Sequence, residues 1–236
     1  LERVQLIPGR HPGVITAKIT HSNPWAGEIL HPLAARGYTL GTPGDRSITQ
    51  PIIIGIDPLE HDEDKRIITH QLYDDMGGKH LLVVAGTGGG KTTLVNSILE
   101  HLTDSDDTDV VACDVAKGGA AWSWRWACLR VHVGAQALPS VVAELEAAVS
   151  LGMARAAARL NATGKRSASH KPTRDERALV IVLDEADQIL AESPHPLRGR
   201  AQSAVKWLLS KGRELGIVLV IIAQRGTLDY LGKSDV

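Results

Sequence analysis

The sequence predicts an α/β fold, with a mostly parallel sheet covered by helices on both faces and a small β-rich segment ahead of it. Three observations predict this. Five short runs of apolar residues recur between about residues 81 and 222, the pattern of strands buried on both faces. The intervening stretches are long enough for helices, and one carries an apolar stripe at helical spacing. The first 50 or so residues are cut instead by Pro8-Gly9, His11-Pro12-Gly13, Asn23-Pro24, His31-Pro32 and Pro43-Gly44-Asp45, which favours short strands and turns.

Along the chain, a short strand is expected near 13–19 and another at Pro51-Ile52-Ile53-Ile54-Gly55. The acidic stretch Glu60-His61-Asp62-Glu63-Asp64 reads as a solvated hairpin tip. Leu81-Leu82-Val83-Val84-Ala85 is the first strand of the α/β region, expected to be buried on both faces, and a helix follows over 92–102. Asp109-Val110-Val111-Ala112-Cys113-Asp114 and Arg130-Val131-His132-Val133 are the next strands. A helix over 141–160 places apolar residues at 141, 145, 149 and 153, with Glu144, Glu146 and Arg155 off that stripe. Ala178-Leu179-Val180-Ile181-Val182-Leu183 is the fourth strand, 204–215 a helix, and Gly216 to Ile222 the fifth strand. Two loops are expected: 164–177, polar and basic through Lys165, Arg166, His170, Lys171 and Arg174, and 193–200, which contains Pro194 and Pro196. The domain reading is a β-rich segment over 1–69 and an α/β core over 70–236.

Length and composition bound the function. The 236 residues suffice for one large α/β domain with an appendage, and 43% apolar with 22% charged residues is ordinary for a globular domain. A net charge of −1 argues against a surface coated with Lys and Arg, though not against a local basic strip. Cys113 and Cys128 lie in no metal-binding spacing, so a zinc site is not expected, and both are expected to stay reduced. No run of 18 apolar residues occurs. The chain begins at Leu1 rather than Met, which reads as part of a longer protein.

The chemistry concentrates in Ala85-Gly86-Thr87-Gly88-Gly89-Gly90-Lys91-Thr92. This is G-x-x-x-x-G-K-[ST] with Ala at the first position, placed between a strand and a helix as the motif requires. Gly86, Gly88, Gly89 and Gly90 let the backbone turn its N–H groups around phosphates, and the helix N-terminus adds positive potential. Lys91 is expected to reach the β- and γ-phosphates of ATP, with Thr92 on Mg²⁺, and Thr87 and Thr93 are counted with them among the nucleotide-binding residues. A second feature falls 93 residues after Lys91, where an apolar strand ends in Asp184-Glu185. Its strand is expected to lie in the sheet next to the phosphate loop. Asp184 would then hold Mg²⁺ and Glu185 would act as general base toward water. The other reading is a solvated acidic turn. Gln224, at the end of the fifth strand, is expected either to contact the γ-phosphate or lytic water, or merely to cap the strand. No guanine-specific N-K-x-D motif occurs, so ATP is preferred to GTP.

The stretch His80-Leu-Leu-Val-Val-Ala-Gly-Thr-Gly-Gly-Gly-Lys-Thr-Thr93 resembles the phosphate loop of FtsK/SpoIIIE-type DNA translocases. Cys113-Asp114-Val115-Ala116-Lys117-Gly118-Gly119 resembles that family's Asp-x-Lys element with one extra residue. Gly212-Arg213-Glu214-Leu215-Gly216-Ile217 followed by Gln224-Arg225 matches a further family stretch, and Asp184-Glu185-Ala186 also fits. The resemblance spans about residues 50–230. Within the family, Trp25 to Pro32 and Thr93 to Ser97 point to the Tra/TraB-like transfer proteins of actinobacterial conjugative elements.

The resemblance implies a RecA-like P-loop NTPase core that moves double-stranded DNA through a homo-hexameric ring by ATP hydrolysis. It implies a site completed by a neighbour's arginine downstream of Gln224, with Arg213 and Arg225 as in-chain alternatives. It also implies a cytoplasmic location for this region, with membrane attachment only through regions outside it, and a core that continues past Val236. Lys165, Arg166 and Lys171 are candidates for a pore loop on DNA phosphates, the other reading of 164–174 being a surface loop. Trp122, Trp124 and Trp126 are expected to pack rather than stack on bases. Two further functions fit the same residues: a type VII secretion-like ATPase moving polypeptide, and a nucleotide-binding assembly module with little turnover.

Overall fold

The computed structural model describes residues 3–8, 15–20, 46–57, 67–86, 88–116, 119–163 and 169–224. The chain divides into two compact units, Leu1–Thr39 with Ile54–Ile68, and Leu40–Ile53 with Thr69–Val236. In the smaller unit, β1 (Arg3–Pro8) and β2 (Ile15–Thr20) pair antiparallel, Arg3 opposite Thr20 and Pro8 opposite Ile15. β3 (Ile52–Ile56) and β4 (Ile67–His70) form a two-stranded sheet. The acidic tip expected at 60–64 lies outside the described residues.

The larger unit holds the α/β core. A two-residue hairpin, β5 (Tyr73–Asp74) and β6 (Gly77–Gly78), precedes it. Five strands follow: β7 (Leu81–Val84), β8 (Thr108–Asp114), β9 (Arg130–Val133), β10 (Ala178–Asp184) and β11 (Ile217–Ala223). They form one sheet in the order β7-β11-β10-β8-β9, with every neighbouring pair parallel. Parallel neighbours need crossovers, and these carry α1 (Lys91–Thr103), α2 (Gly119–Ser123), α3 (Leu138–Thr163), α4 (Ala186–Leu190) and α5 (His195–Leu215).

Strand alternation divides the core into two layers. Val111, Cys113, Leu179, Ile181, Leu183, Ile217, Leu219 and Ile221 face one way and join α3, α4 and α5 in one apolar cluster. Their neighbours Val110, Ala112, Val180, Val182, Val218, Val220 and Ile222 are equally buried on the other face, where α1 packs on β8 through a stripe that includes Val95, Ile98, Leu99 and Leu102. A mostly parallel sheet with helices on both faces is therefore the observed fold.

The structure corrects three expectations, and it places β11 between β7 and the strand that ends in Asp184. All seven residues of β11 are buried and apolar, so it suits a position flanked by strands. β7 in turn is not covered on both faces. It pairs only with β11 among the described strands, and Leu82 is 59% exposed. Residues 195–200, expected as loop, open α5, since proline fits a first helical turn whose N–H groups have no helical partner anyway. The stripe of α3 drifts too: Val141, Val142, Leu145, Ala148 and Gly152 are buried, but Met153 is 54% exposed. Gly152 is glycine for contact, because a Cβ there would sit 2.7 Å from the Trp207 ring of α5. By length and composition Ala135–Asn161 would pass for a membrane span, an 18-residue window of it having a mean hydropathy of 1.4, yet the apolar stripe of α3 packs on α5 and the sheet.

Residues 46–50 belong with this core. Ile48 is fully buried and its N–H donates to Asp107 Oδ1 (3.0 Å), while Arg46 pairs with Asp104 at 3.2 Å. At the N-terminal ends of β10 and β11, His170 forms a second anchor. Its backbone N–H donates to Glu214 O (2.9 Å), and Tyr73 Oη donates to its carbonyl oxygen (2.8 Å). Gly216, at φ 71°, closes α5 against it, and any Cβ there would lie 2.3 Å from the imidazole. Burial, and then the nearby Arg155 and Arg159 charges, push His170 down to about 4. The folded-state value lies below the unfolded value of about 6.5, so the unfolded chain binds the proton first. Stability should be full above pH 6.5 and fall by roughly 3 kcal/mol as pH drops to about 4. Urea titrations across that window should show the loss, and His170→Gln should flatten it whatever its effect at neutral pH.

Candidate functional site: a phosphate-loop cleft with paired carboxylates

Three of the four crossovers of the sheet bring residues to one cleft at the carboxyl ends of its strands. This cleft, of about 460 Å³, is lined by Gly86, Gly88, Gly89, Gly90, Lys91, Thr92, Asp114, Gly119, Asp184 and Glu185. That volume suits a nucleotide-sized ligand. A larger groove of about 630 Å³ runs between α3 and α5, but its lining includes the paired Arg200 and Glu146 and none of the glycine loop.

The loop after β7 is built from backbone geometry. Gly88 and Gly90 take φ of 79° and 78°, where a side chain would be strained, and Gly90 caps α1 without any side-chain bond to its first turn. Gly89 N–H donates to Gly86 O at 3.1 Å. A Cβ on Gly89 would lie 3.0 Å from the Ala85 methyl, whereas Gly86 has open space around it. The glycines thus have different reasons: two for positive φ, one for close packing. The first turn of α1 has no acidic residue, so its N–H groups and dipole are free to face an anion. Lys91 Nζ donates to the carbonyls of Ala85 (2.6 Å) and Gly86 (3.2 Å), folded over the loop it would leave for a phosphate. Thr92 and Thr93 are exposed on the first turn; Thr92 lines the cleft and Thr93 does not. Thr87 lies outside the described residues.

Opposite the loop, Asp184 ends β10 and Asp114 ends β8 in direct register. Asp184 Oδ1 accepts the Glu185 N–H at 2.9 Å. Burial raises the Asp184 carboxyl above its ordinary value, and the Asp114 and Glu185 carboxylates add to this while Lys91 opposes it. A divalent cation would relieve that repulsion, and Thr92 with Asp184 supplies hard oxygen donors of the kind Mg²⁺ takes. Glu185 follows in the left-handed region, φ 50° and ψ 47°, the one non-glycine residue with positive φ among the described residues. It is buried, and Gln224 Nε2 donates to its Oε2 at 2.6 Å. Gln224 therefore grips the carboxylate rather than merely capping β11.

Asp114 was absent from the sequence-derived site. The signal was present, since an apolar run ending in Asp is the same pattern that singled out Asp184. Other candidates lie elsewhere. Lys171 is exposed on the stretch that enters β10 at its amino end, so a seven-residue strand, roughly 20 Å, separates it from the cleft. Lys165, Arg166 and Arg225 lie outside the described residues. Arg213 sits in the last turn of α5, just before the amino end of β11 and away from the cleft of its own chain. Trp124 packs as expected, its Nε1 donating to Asn96 Oδ1 at 3.0 Å. Trp122 and Trp126 do not: both are exposed, and Arg125 lies 5.0 and 4.9 Å from their ring centres.

Replacing Gly90 with Val should leave the far-ultraviolet circular dichroism unchanged. It should weaken binding of a fluorescent ATP analogue by at least tenfold, because a β-branched residue resists positive φ.

No protein-family profile and no curated protein matches the chain. Solved structures do. The cytoplasmic domain of the type VII secretion ATPase EccC of Thermomonospora curvata superposes with a TM-score of 0.59 at 22% identity, over 89% of this chain and 25% of that one. The pCW3 conjugation coupling protein TcpA, solved with ATPγS, gives 0.58 at 14% identity over 98% and 62%. EssC of Geobacillus thermodenitrificans gives 0.55 at 14% identity over 80% and 36%. The chain thus spans less than two thirds of each of these proteins. At these identities the likeness is one of fold, shared with a type VII secretion ATPase, a conjugation coupling protein solved with ATPγS and the EssC ATPases.

Proposed function

We propose that this chain is the core of an ATP-driven motor of the FtsK/SpoIIIE type that moves double-stranded DNA. The observation that carries the ATPase reading is the cleft, where uncapped helix N–H groups and Lys91 face Asp184 and a buried, gripped Glu185. In this reading the loop and Lys91 hold the triphosphate. Thr92 and Asp184 would hold Mg²⁺, which would supply charge neutralisation when bound. Glu185 accepts a proton from water as the water oxygen bonds to the γ-phosphorus. The bond from that phosphorus to the β–γ bridging oxygen breaks, and ADP leaves with inorganic phosphate as the second product.

Double-stranded DNA as cargo rests on the Gln224-Arg225 ending and the Asp184-Glu185 pair. We further propose a homo-hexamer for the full-length protein, a cytoplasmic location for this core, and membrane attachment through regions outside it. A second reading has polypeptide as the cargo, and the likeness to EccC and EssC favours it.

ATP turnover by the full-length protein, measured with and without long duplex DNA, separates these. The DNA reading expects stimulation by duplex that disappears in Lys91→Ala. Turnover indifferent to DNA but raised by a substrate peptide would replace it with the secretion reading. Glu185→Gln should retain ATP binding while kcat falls about 100-fold or more, the usual scale for a lost general base.

A further inference from the structure

We infer that Asp187 is a positioning residue for hydrolysis: by holding the main chain of Gln224, it sets the side chain that grips Glu185. The inference rests on the ATPase reading above.

Asp187 lies in the first turn of α4 and is 8% exposed. Its Oδ2 accepts the Gln224 N–H at 2.8 Å, and Gln224 Nε2 returns to Glu185 Oε2 at 2.6 Å. Two residues of one chain segment are thus tied to the backbone and the side chain of a single residue on another. The sheet supplies only part of this constraint. The β10–β11 ladder ends at Leu183 opposite Ile221, and the β7–β11 ladder ends at Val84 opposite Ala223. Gln224 is three residues beyond the first ladder and one beyond the second; the carbonyl of its own peptide, Ala223 O, accepts from Ala85 N at 3.3 Å, and its N–H is held by Asp187. The carbonyl of Asp187 is itself fixed, accepting from Ala191 N (2.9 Å) and Glu192 N (3.0 Å).

Two further features fit a positioning role better than a packing one. Asp187 Oδ1 is buried without a hydrogen-bond partner, an unfavourable state that an apolar residue of similar size would avoid. Glu185 meanwhile holds a left-handed backbone that a non-glycine residue keeps only when its surroundings impose it. The Asp187–Gln224–Glu185 ring is such a surrounding. A general base needs geometry fixed to fractions of an ångström, and loosening it lowers the rate without weakening a triphosphate held elsewhere.

The test uses the full-length protein, reading kcat and the affinity for a fluorescent ATP analogue. Asp187→Leu fills the same space and accepts no hydrogen bond, and Asp187→Ala is its smaller counterpart; whichever folds carries the test. The expected result is a fall in kcat of about tenfold or more, with affinity changed by no more than about twofold. Asp187→Asn, which keeps an acceptor oxygen, should recover most of the rate. Combining Asp187→Leu with Gln224→Leu should cost little more than the worse single change, as for members of one unit. Unchanged kcat, equal losses in kcat and affinity, failure of Asn to recover, or additive losses would each overturn the role. A parent protein that hydrolyses no ATP would remove the ATPase reading itself, whereas an active parent with a fully active Leu variant removes only the clamp.

Discussion

The parallel ladder joining β11, β10 and β8 is the constraint on which the cleft depends. Parallel strands must all end on the same side, so Asp114, Asp184 and Gln224 arrive at one edge because their strands run together in register. The same rule brings the loop after β7 to that edge through the β7–β11 pairing. Burial enforces the register: a one-residue slip of β10 would turn Ile181 and Leu183 away from α3 and α5, and would move Asp184 out of line with Asp114. Packing in the core and chemistry at the edge are thus one condition.

That arrangement concentrates like charge. Asp114, Asp184 and Glu185 line a cleft in which Lys91 is the cation among the described residues, and burial, with the Asp114 and Glu185 charges adding to it, raises the Asp184 carboxyl. A site left in this state disfavours itself, and bound phosphate with a divalent cation would change its balance. Lys91 meanwhile rests on loop carbonyls. Local strain follows the same pattern, with positive φ among the described residues confined to Glu185 and to glycines, two of which belong to the phosphate loop. The opposite end of the sheet is constrained differently. There Tyr73, His170 and Gly216 interlock, a neutral imidazole filling space that no side chain at 216 could share.

Much of this was legible in the sequence. The strands were readable because fully buried parallel strands are nearly pure Val, Ile, Leu and Ala, a signal that depends on no partner. The phosphate loop was readable because its function is in its backbone, and only a run such as Gly88-Gly89-Gly90 supplies that backbone. Asp184 and Glu185 were readable as carboxylates following an apolar run. The start of α5 was misread because proline signals a loop in general and a helix start only in context, and the stripe of α3 was misread because α5 selects which face is covered.

By itself, then, the sequence determined the elements, the loop and the carboxylate pair, all of which are local: each depends on a few consecutive residues and their own backbone preferences. Strand order, the placement of β11 between the loop and Asp184, the entry of Asp114 into the cleft and the grip of Gln224 on Glu185 were decided only by tertiary structure. These relations join residues from about 39 to nearly 140 positions apart, and no local preference encodes which apolar strand lies beside which. Competition among strands for the fully covered central positions settles that, and β11, apolar along its whole length, occupies one of them.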